Sequence, residues 1–210
     1  MARKKPAGVE DRIIDATLAL VQEQSWRDLT LGHIAEAAGL SLAETVGVFP
    51  SKAAILDGFS RRIDKETLKL AAEEDFTGAS PRDILFDIIM LGFDAMTPYR
   101  SALKALTKDV VQEPLSALSL LSPTFRSLSL MLEAAGIDSS GLKGMLRVRG
   151  LAVAWASAFR VWLTDGEDQA KTMAELDKRL RQGENIIRAL RQRRENRRAR
   201  RQNHQEDAAE

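Results

Sequence analysis

The sequence of 210 residues predicts an all-α protein, and three observations support that prediction. Apolar and polar residues do not alternate over any long stretch, as they would in half-buried strands. Long runs are rich in Ala, Leu, Glu, Lys and Arg, which favour helices. Apolar positions recur at spacings of three and four, as on the buried face of a helix. We expect about nine helices, arranged as a three-helix helix-turn-helix N-terminal domain and a larger helical C-terminal domain.

The composition argues against several classes of protein. There are no cysteines, which excludes disulfides and thiolate metal sites and fits a reducing cytoplasm. His33 and His204 have no neighbouring residues at the spacing of metal ligands or of a catalytic triad. The longest uncharged run, residues 114–125, has 12 residues, whereas a membrane span needs about 20. We expect a cytoplasmic protein with no catalytic residues, no metal site, no cofactor and no membrane span.

A short basic arm precedes the first predicted helix. The arm contains Arg3, Lys4 and Lys5, and the helix covers residues 9–24. Such an arm is either a solvated terminus or a segment that reaches a phosphate backbone.

Two short amphipathic segments, 31–38 and 41–48, are predicted to form a helix-turn-helix. Gly39 lies between them and is the residue type that most readily adopts a left-handed turn. Ser41 and Glu44 have the spacing of a capping box, in which each side chain bonds to the other residue's backbone N–H. The second helix therefore has a start signal of its own.

A helix stop and a helix start follow directly. Pro50 ends the second helix, and Ser51 is a suitable N-cap for a long helix over residues 52–73. Lys52 consequently lies in the first turn of that long helix.

Prolines and loop-like stretches divide the rest of the chain into further helices. Pro98, Pro114 and Pro123 mark breaks, and residues 135–144 form the most loop-like stretch, after which two long helices follow. The predicted shorter helices span 81–96, 99–111, 114–121 and 123–135, and the predicted domains are 1–62, 63–190 and an arginine-rich, then acidic, tail over 191–210.

An apolar stripe runs along each of the two long helices. Spacings of three and four are typical of a helix that packs lengthwise on another. The stripes are Met145, Val148, Ala152, Trp155, Phe159 and Trp162 in one helix, and Met173, Leu176, Leu180, Gly183, Ile187 and Leu190 in the other. Such residues form either core or a ligand cavity, and few ionisable residues accompany them.

Our candidates for an apolar pocket that takes a small apolar or lipid-like effector are Phe86, Met90, Phe93, Trp155 and Phe159.

The C-terminal end is strongly basic. From Arg188 to Arg201, eight arginines stand against one glutamate. This end is a solvated extension, a nucleic-acid contact or a contact with an anionic membrane. Because no apolar face continues beyond Leu190, simple electrostatics is favoured over an amphipathic membrane helix.

The run IAEAAGLS followed by VFPSKAAILDGF resembles the N-terminal domain of the tetracycline-repressor (TetR) family of bacterial transcription regulators. The resemblance covers residues 9–62 and implies a ligand-responsive repressor that binds operator DNA as a homodimer. By position, Thr30 would meet a phosphate, residues 41–48 would enter the major groove, and Lys52 would contact the DNA backbone. With the basic arm, the DNA-binding candidates are Arg3, Lys4, Lys5, Thr30, Ser41, Leu42, Ala43, Glu44, Thr45 and Lys52.

The same resemblance implies that the last two helices form the interface between two protomers. We assign that interface to residues of the apolar stripes, namely Trp162, Met173, Leu176, Leu180 and Ile187.

The predicted recognition helix departs from the family pattern because it has few polar groups. Ser41 and Thr45 are the side chains expected to hydrogen-bond a base edge, and Glu44 accepts at best from a cytosine amino group. Residues 9–62 hold five basic and eight acidic residues, a net charge of −3 that the basic arm brings to zero. Since DNA-binding proteins gain much of their affinity by neutralising phosphates, the composition favours weak direct reading of bases.

A second resemblance suggests an alternative function. The segments RDILFDIIMLGFDAMTPYR and VWLTDGEDQAKTMAELDKRL, with GVFPSK, look similar to the lipid-binding accessory proteins of coenzyme Q biosynthesis. Those proteins share the TetR fold, carry an apolar ligand cavity and are not known as sequence-specific DNA binders. This resemblance implies a lipid- or isoprenoid-binding accessory protein that has lost operator recognition.

Overall fold

The structure is a computed structural model that describes residues 8–111 and 114–206, without the side chains of 110–120, 186, 187, 190, 191 and 193–206. Within the described residues there are nine α-helices, one 3-10 turn and no β-strand, which confirms the predicted all-α fold. The helices are α1 Val9–Leu20, α2 Leu31–Ala37, α3 Leu42–Val48, α4 Lys52–Glu73, α5 Pro81–Met96, α6 Arg100–Val111, α7 Pro114–Ala134, α8 Gly141–Trp162 and α9 Ala170–Glu206, and the 3-10 turn is Thr97–Tyr99.

Hydroxyl side chains begin four of these helices, and the sequence predicts this for Ser41 and Ser51. The Oγ1 of Thr30 accepts from the backbone N–H of the third residue of α2 at 3.2 Å. Ser41, Ser51 and Ser80 do the same for α3, α4 and α5 at 3.1–3.2 Å. Each bond satisfies a backbone donor that the helix itself leaves unpaired. The local sequence therefore sets where these helices start.

The N-terminal helices pack around apolar side chains and one close helix contact. Phe49, which follows α3, is 3 % exposed and lies against α4 at Gly58. A Cβ atom at Gly58 would come within 2.6 Å of the Phe49 ring. The absence of a side chain at this position thus lets α4 approach the end of α3.

Helix α4 connects the two halves of the molecule. It packs on α1 and also on α5 and α7. The predicted domain boundary at 62/63 therefore falls inside one continuous helix.

Three element bounds differ from the prediction. Helix α1 ends at Leu20, where a turn follows, rather than near residue 24. Helix α8 begins at Gly141, inside the stretch expected to be a loop. Helix α7 runs through Pro123, where the sequence predicts a break. Packing of α7 on α4 and on α8 offsets the cost of about 3 kcal/mol that a proline imposes inside a helix.

The C-terminal half is held together by α8 packed along α9, with α5 alongside. Arg82 of α5 makes an ion pair with Asp177 of α9, and the Ser157 hydroxyl of α8 donates to Glu175 of α9 at 2.6 Å. Among the described residues, none of the helices combines the length and the apolar character needed to cross a membrane.

Candidate nucleic-acid interface

The turn between α2 and α3 has a defined geometry. Gly39 takes a positive φ of 63°, the conformation for which the sequence supplies a glycine. Arg12 of α1 donates from Nη2 to the carbonyl oxygens of Ala38 at 2.5 Å and of Gly39 at 3.0 Å. One guanidinium therefore ties the first helix to the turn and fixes how α3 leaves it.

The capping box at the start of α3 occupies both of its side chains. The Ser41 hydroxyl accepts from the Glu44 N–H at 3.2 Å and donates to the Glu44 carboxylate at 2.7 Å. The same carboxylate oxygen, Oε2, accepts from the Ser41 N–H at 2.8 Å. These bonds from Ser41 lower the pKa of Glu44, so the carboxylate stays ionised at neutral pH.

Thr45 lies elsewhere than predicted. It is fully buried, and its hydroxyl donates to the carbonyl oxygen of Ser41 at 3.1 Å. A threonine in this position belongs to the core beneath α3. Thr45 is therefore closed to a base edge, which corrects that expectation. Ser41 is exposed and its hydroxyl keeps one acceptor lone pair, so its contact with a base stays a prediction.

The outer surface of α3 is apolar. Leu42 is 52 % exposed and Val46 is 42 % exposed, and Ala43 and Gly47 are exposed beside them. With about 100° between successive residues, these four positions fall within an arc of about 140° on one side of the helix, and buried Thr45 lies outside that arc. The side chains on this arc carry no hydrogen-bonding group, and the exposed polar side chains of the segment are Ser41 and Glu44.

Thr30 keeps a free donor at the start of α2. Its Oγ1 accepts from the His33 N–H at 3.2 Å, and the residue is exposed. A hydroxyl that accepts one bond still carries its own proton. Thr30 can therefore donate to a phosphate while it caps the helix.

Lys52 lies against the loop between α1 and α2. Its Nζ donates to the carbonyl oxygen of Trp26 at 2.6 Å and lies 4.8 Å from the centroid of the Trp26 ring. The Trp26 N–H in turn donates to Asp109 of α6 at 2.6 Å. The predicted phosphate-binding lysine is thus linked through one tryptophan to the C-terminal half of the chain. Arg3, Lys4 and Lys5, the other predicted basic contacts, lie outside the described residues.

The geometry of most of the chain is similar to that of several solved structures. A TetR transcriptional regulator from Nitrosomonas europaea ATCC 19718 is 22 % identical and aligns over 82 % of this chain and 96 % of its own, with a TM-score of 0.65. The TM-score is 0.58 for a TetR transcriptional regulator from Rhodococcus sp. RHA1, which is 15 % identical over 82 % of this chain and 93 % of its own.

A TetR-family regulator from Rhodococcus sp. is 20 % identical over 83 % of this chain and 97 % of its own, with a TM-score of 0.55. The chain has the TetR fold. No model of a known protein family matches it, and no curated protein does. The resemblance to the coenzyme Q accessory proteins stays a prediction.

The predicted effector pocket of this TetR fold is occupied by its own aromatic rings. Phe93 of α5 stacks on Trp155 of α8, with ring centroids 6.2 Å apart, and Trp155 stacks on Phe159 at 4.8 Å. Phe93 is fully buried, whereas Phe86 and Met90 are half-buried on the same helix. The structure brings Phe93, Trp155 and Phe159 together, but their rings contact one another. An effector would have to separate them.

A narrow crevice lies between α4 and α7, and the sequence does not predict it. Burial raises the pKa of Asp64, although the Ser127 hydroxyl, which donates to it at 2.9 Å, and the Arg126 guanidinium, 3.6 Å away, oppose that shift. The crevice has no room for a water molecule, and its lining is Asp64, Thr67, Leu68, Ser127, Leu130 and Met131.

The predicted interface residues do not share one exposed surface. Trp162 and Leu176 are fully buried within the protomer, and Leu180 is 9 % exposed. A side chain without exposed surface adds no area to an interface, so these residues instead hold α8 and α9 together. Met173 is 38 % exposed, and the side chain of Ile187 lies outside the described residues.

Another face of α8 is open and apolar. Leu142 is 70 % exposed, Leu146 is 61 % exposed and Val153 is 66 % exposed. With Arg149, Ala156 and Arg160 they form a stripe with spacings of four and three, which we call the outer α8 stripe. The spacing of four and three is visible in the sequence. The prediction favours the inward stripe of the same helix because that stripe is richer in aromatic residues.

Proposed function

We propose that this protein is a ligand-responsive transcription regulator, acting as a cytoplasmic repressor that binds operator DNA as a homodimer. The observation that carries the proposal is the intact helix-turn-helix, with α3 presented on the surface and fixed by the turn at Gly39 and the cap at Ser41. Thr30 is placed to donate to a phosphate from the start of α2. Solved TetR regulators with the same fold support this reading of the motif.

Helix α4 is the element through which an effector would act. On one side, Arg62 of α4 donates to Asp15 of α1 at 2.7 Å. On the other, Asp57 and Asp64 of α4 pair with Arg126 of α7. A shift of α7 would therefore be transmitted to α4, to which α1 is also bonded. We propose that an apolar effector, entering between the rings of α5 and α8, changes the tilt of α4 and with it the position of α3.

The homodimer is proposed to form through the outer α8 stripe. Leu142, Leu146 and Val153 are large apolar side chains left open on one helix face, and Met173 of α9 is also exposed. A two-fold contact along this face would bury the stripe of each protomer against the other. It would present two copies of α3, whose separation has to match one helical turn of DNA, about 34–36 Å.

Selection from a random-sequence duplex pool with the full chain tests the function, because the operator is unknown. We expect one sequence with two related halves to be enriched at low salt and its affinity to fall as salt rises. Leu42→Glu places a negative charge on the exposed face of α3 and should abolish that binding. Leu121→Glu, at a residue of α7 that is 45 % exposed, is the matched control and should bind like the parent.

A second candidate function is a lipid-binding accessory protein. The observation that favours it is the apolar outer surface of α3, which carries no hydrogen-bonding side chain among Leu42, Ala43 and Val46. Mass spectrometry of the purified protein separates the two functions. A co-purifying isoprenoid or phospholipid, together with no enriched DNA sequence, would favour the accessory protein over the regulator.

A further inference from the structure

The structure of α3 limits how this protein could read a base sequence, given the proposed function on which this inference rests. Three polar side chains lie at the start and in the body of the helix. Ser41 both donates to and accepts from Glu44, and Thr45 is fully buried with its hydroxyl bonded to the Ser41 carbonyl oxygen. Neither hydroxyl can therefore donate to a base edge, and the exposed Ser41 hydroxyl keeps only one acceptor lone pair.

Glu44 is poorly suited to reading bases as well. Its Oε2 is held by two bonds from Ser41, and the carboxylate stays ionised beside a duplex whose phosphates repel it. On the helix it flanks the exposed apolar face, about 160° away from Leu42 and Val46. A groove centred on the apolar face would leave Glu44 at its margin.

We infer that α3 recognises thymine through its C5 methyl group, by apolar contact with Leu42, Ala43 and Val46. In the major groove the thymine methyl is the one apolar group among the donors and acceptors of the four base pairs. Leu42 and Val46 are 52 % and 42 % exposed and one helical turn apart, so two successive bases can be covered by one apolar surface. The half-site should accordingly contain thymines at the positions that face α3.

Deoxyuridine tests this inference directly, because it lacks the methyl group of thymidine and keeps every hydrogen-bonding atom. The measurement is the Kd of the full chain for the enriched duplex, with single thymines in one half-site replaced by deoxyuridine. Burial of one methyl group corresponds to a change in Kd of about fourfold. We expect a loss of that size at one or more positions in the half-site, and none for replacements outside it.

A double-mutant cycle assigns the contact to a side chain. Leu42→Ala and Val46→Ala should weaken binding to the thymine duplex and should lose the penalty for deoxyuridine at the position each residue covers. Glu44→Gln keeps a residue that serves in a capping box and should retain the full deoxyuridine penalty.

The possible outcomes are distinct. Methyl recognition is overturned if a specific site binds equally well with deoxyuridine at every position. It is also overturned if Glu44→Gln abolishes recognition of the site. Either result is compatible with the proposed regulator. If no sequence is enriched, the proposed function fails and methyl recognition fails with it.

Discussion

The backbone N–H of Trp26 donates a hydrogen bond of 2.6 Å to the carboxylate of Asp109, a residue 83 positions further along the chain. The bond joins the loop after α1 to α6. Since the carbonyl oxygen of Trp26 accepts from Lys52, the same residue links α6 to the first turn of α4. The two halves of the molecule are therefore coupled at α6 as well as along α4.

Removing the Asp109 carboxylate should loosen this coupling. We expect Asp109→Ala to lower the free energy of unfolding by about 1–3 kcal/mol, because a hydrogen bond to a charged group is lost and a backbone donor is left unpaired. Hydrogen exchange at the Trp26 amide should accelerate in the same variant. Asp109→Asn retains an acceptor oxygen and should lose less stability, as measured by urea unfolding. Equal losses in the two variants would contradict the role of this bond.

Gly58 should not tolerate a side chain. A Cβ atom would lie 2.6 Å from two carbon atoms of the Phe49 ring, and overpacking of this kind costs about 1–3 kcal/mol. Replacing Gly by Ala in a helix gains about 1 kcal/mol in helix propensity, which is less than most of the expected overpacking cost. We expect Gly58→Ala to be destabilised in urea unfolding.

Gly47→Ala is the matched control for that measurement, since nothing lies within 4 Å of a Cβ atom at this exposed helical position. It should gain stability by up to about 1 kcal/mol. Stabilisation by both substitutions would show that α4 does not approach Phe49 closely.

Asp64 should have a raised pKa that depends on its neighbours. Burial is the main cause of the shift, and Ser127 and Arg126 oppose it. We expect Arg126→Ala to raise the pKa of Asp64 further, as followed by carbon NMR of the side-chain carboxyl. Lys69→Ala, which removes an exposed cation from the same helix, should leave it unchanged. A fall of the pKa in Arg126→Ala would contradict the account.

The raised pKa has a consequence for stability. Because the folded state holds the Asp64 proton more tightly than the unfolded state, this group's contribution is fully present below its unfolded pKa of about 4 and is lost as pH rises through the folded pKa. The free energy of unfolding relative to Asp64→Asn should therefore decline over that interval. A relative stability that rises with pH would contradict the direction of the shift.

Charging the outer α8 stripe should separate the protomers. Leu146→Lys with Val153→Lys would add two cations to a stripe that already holds Arg149 and Arg160, so a second copy would bring like charges together at a cost that apolar burial does not repay. Light scattering should give a mass near 23.2 kDa for this variant and twice that for the parent. Leu121→Glu should remain dimeric. A dimer that persists in the double variant would place the interface elsewhere.

Local signals in the sequence were sufficient to locate most helix starts. Ser41 and Ser51 cap their helices as predicted, because an N-cap depends on residues only three positions away. Pro123 was misread as a break for the same reason, since its cost is local whereas the packing that offsets it comes from other helices.

The candidate site was less predictable than the fold. That Thr45 is polar says nothing of its burial, which is set by how α3 rests on the helices beneath it. Likewise, the fixed position of Lys52 depends on Trp26 and Asp109, which are distant in sequence. Residue types therefore predict the position of the recognition helix. The packing shows which of its side chains are exposed, namely the apolar Leu42 and Val46.

Hydroxyl-radical footprinting of the full chain on the DNA upstream of its coding sequence, at low salt, tests the central claim most directly. We predict two protected patches on one face of the duplex, about 10–10.5 base pairs apart, that appear together at a single saturable concentration. Both patches should vanish with Leu42→Glu and persist with Leu121→Glu. Uniform protection without saturation, or none at all, would contradict a dimeric regulator that reads a specific operator.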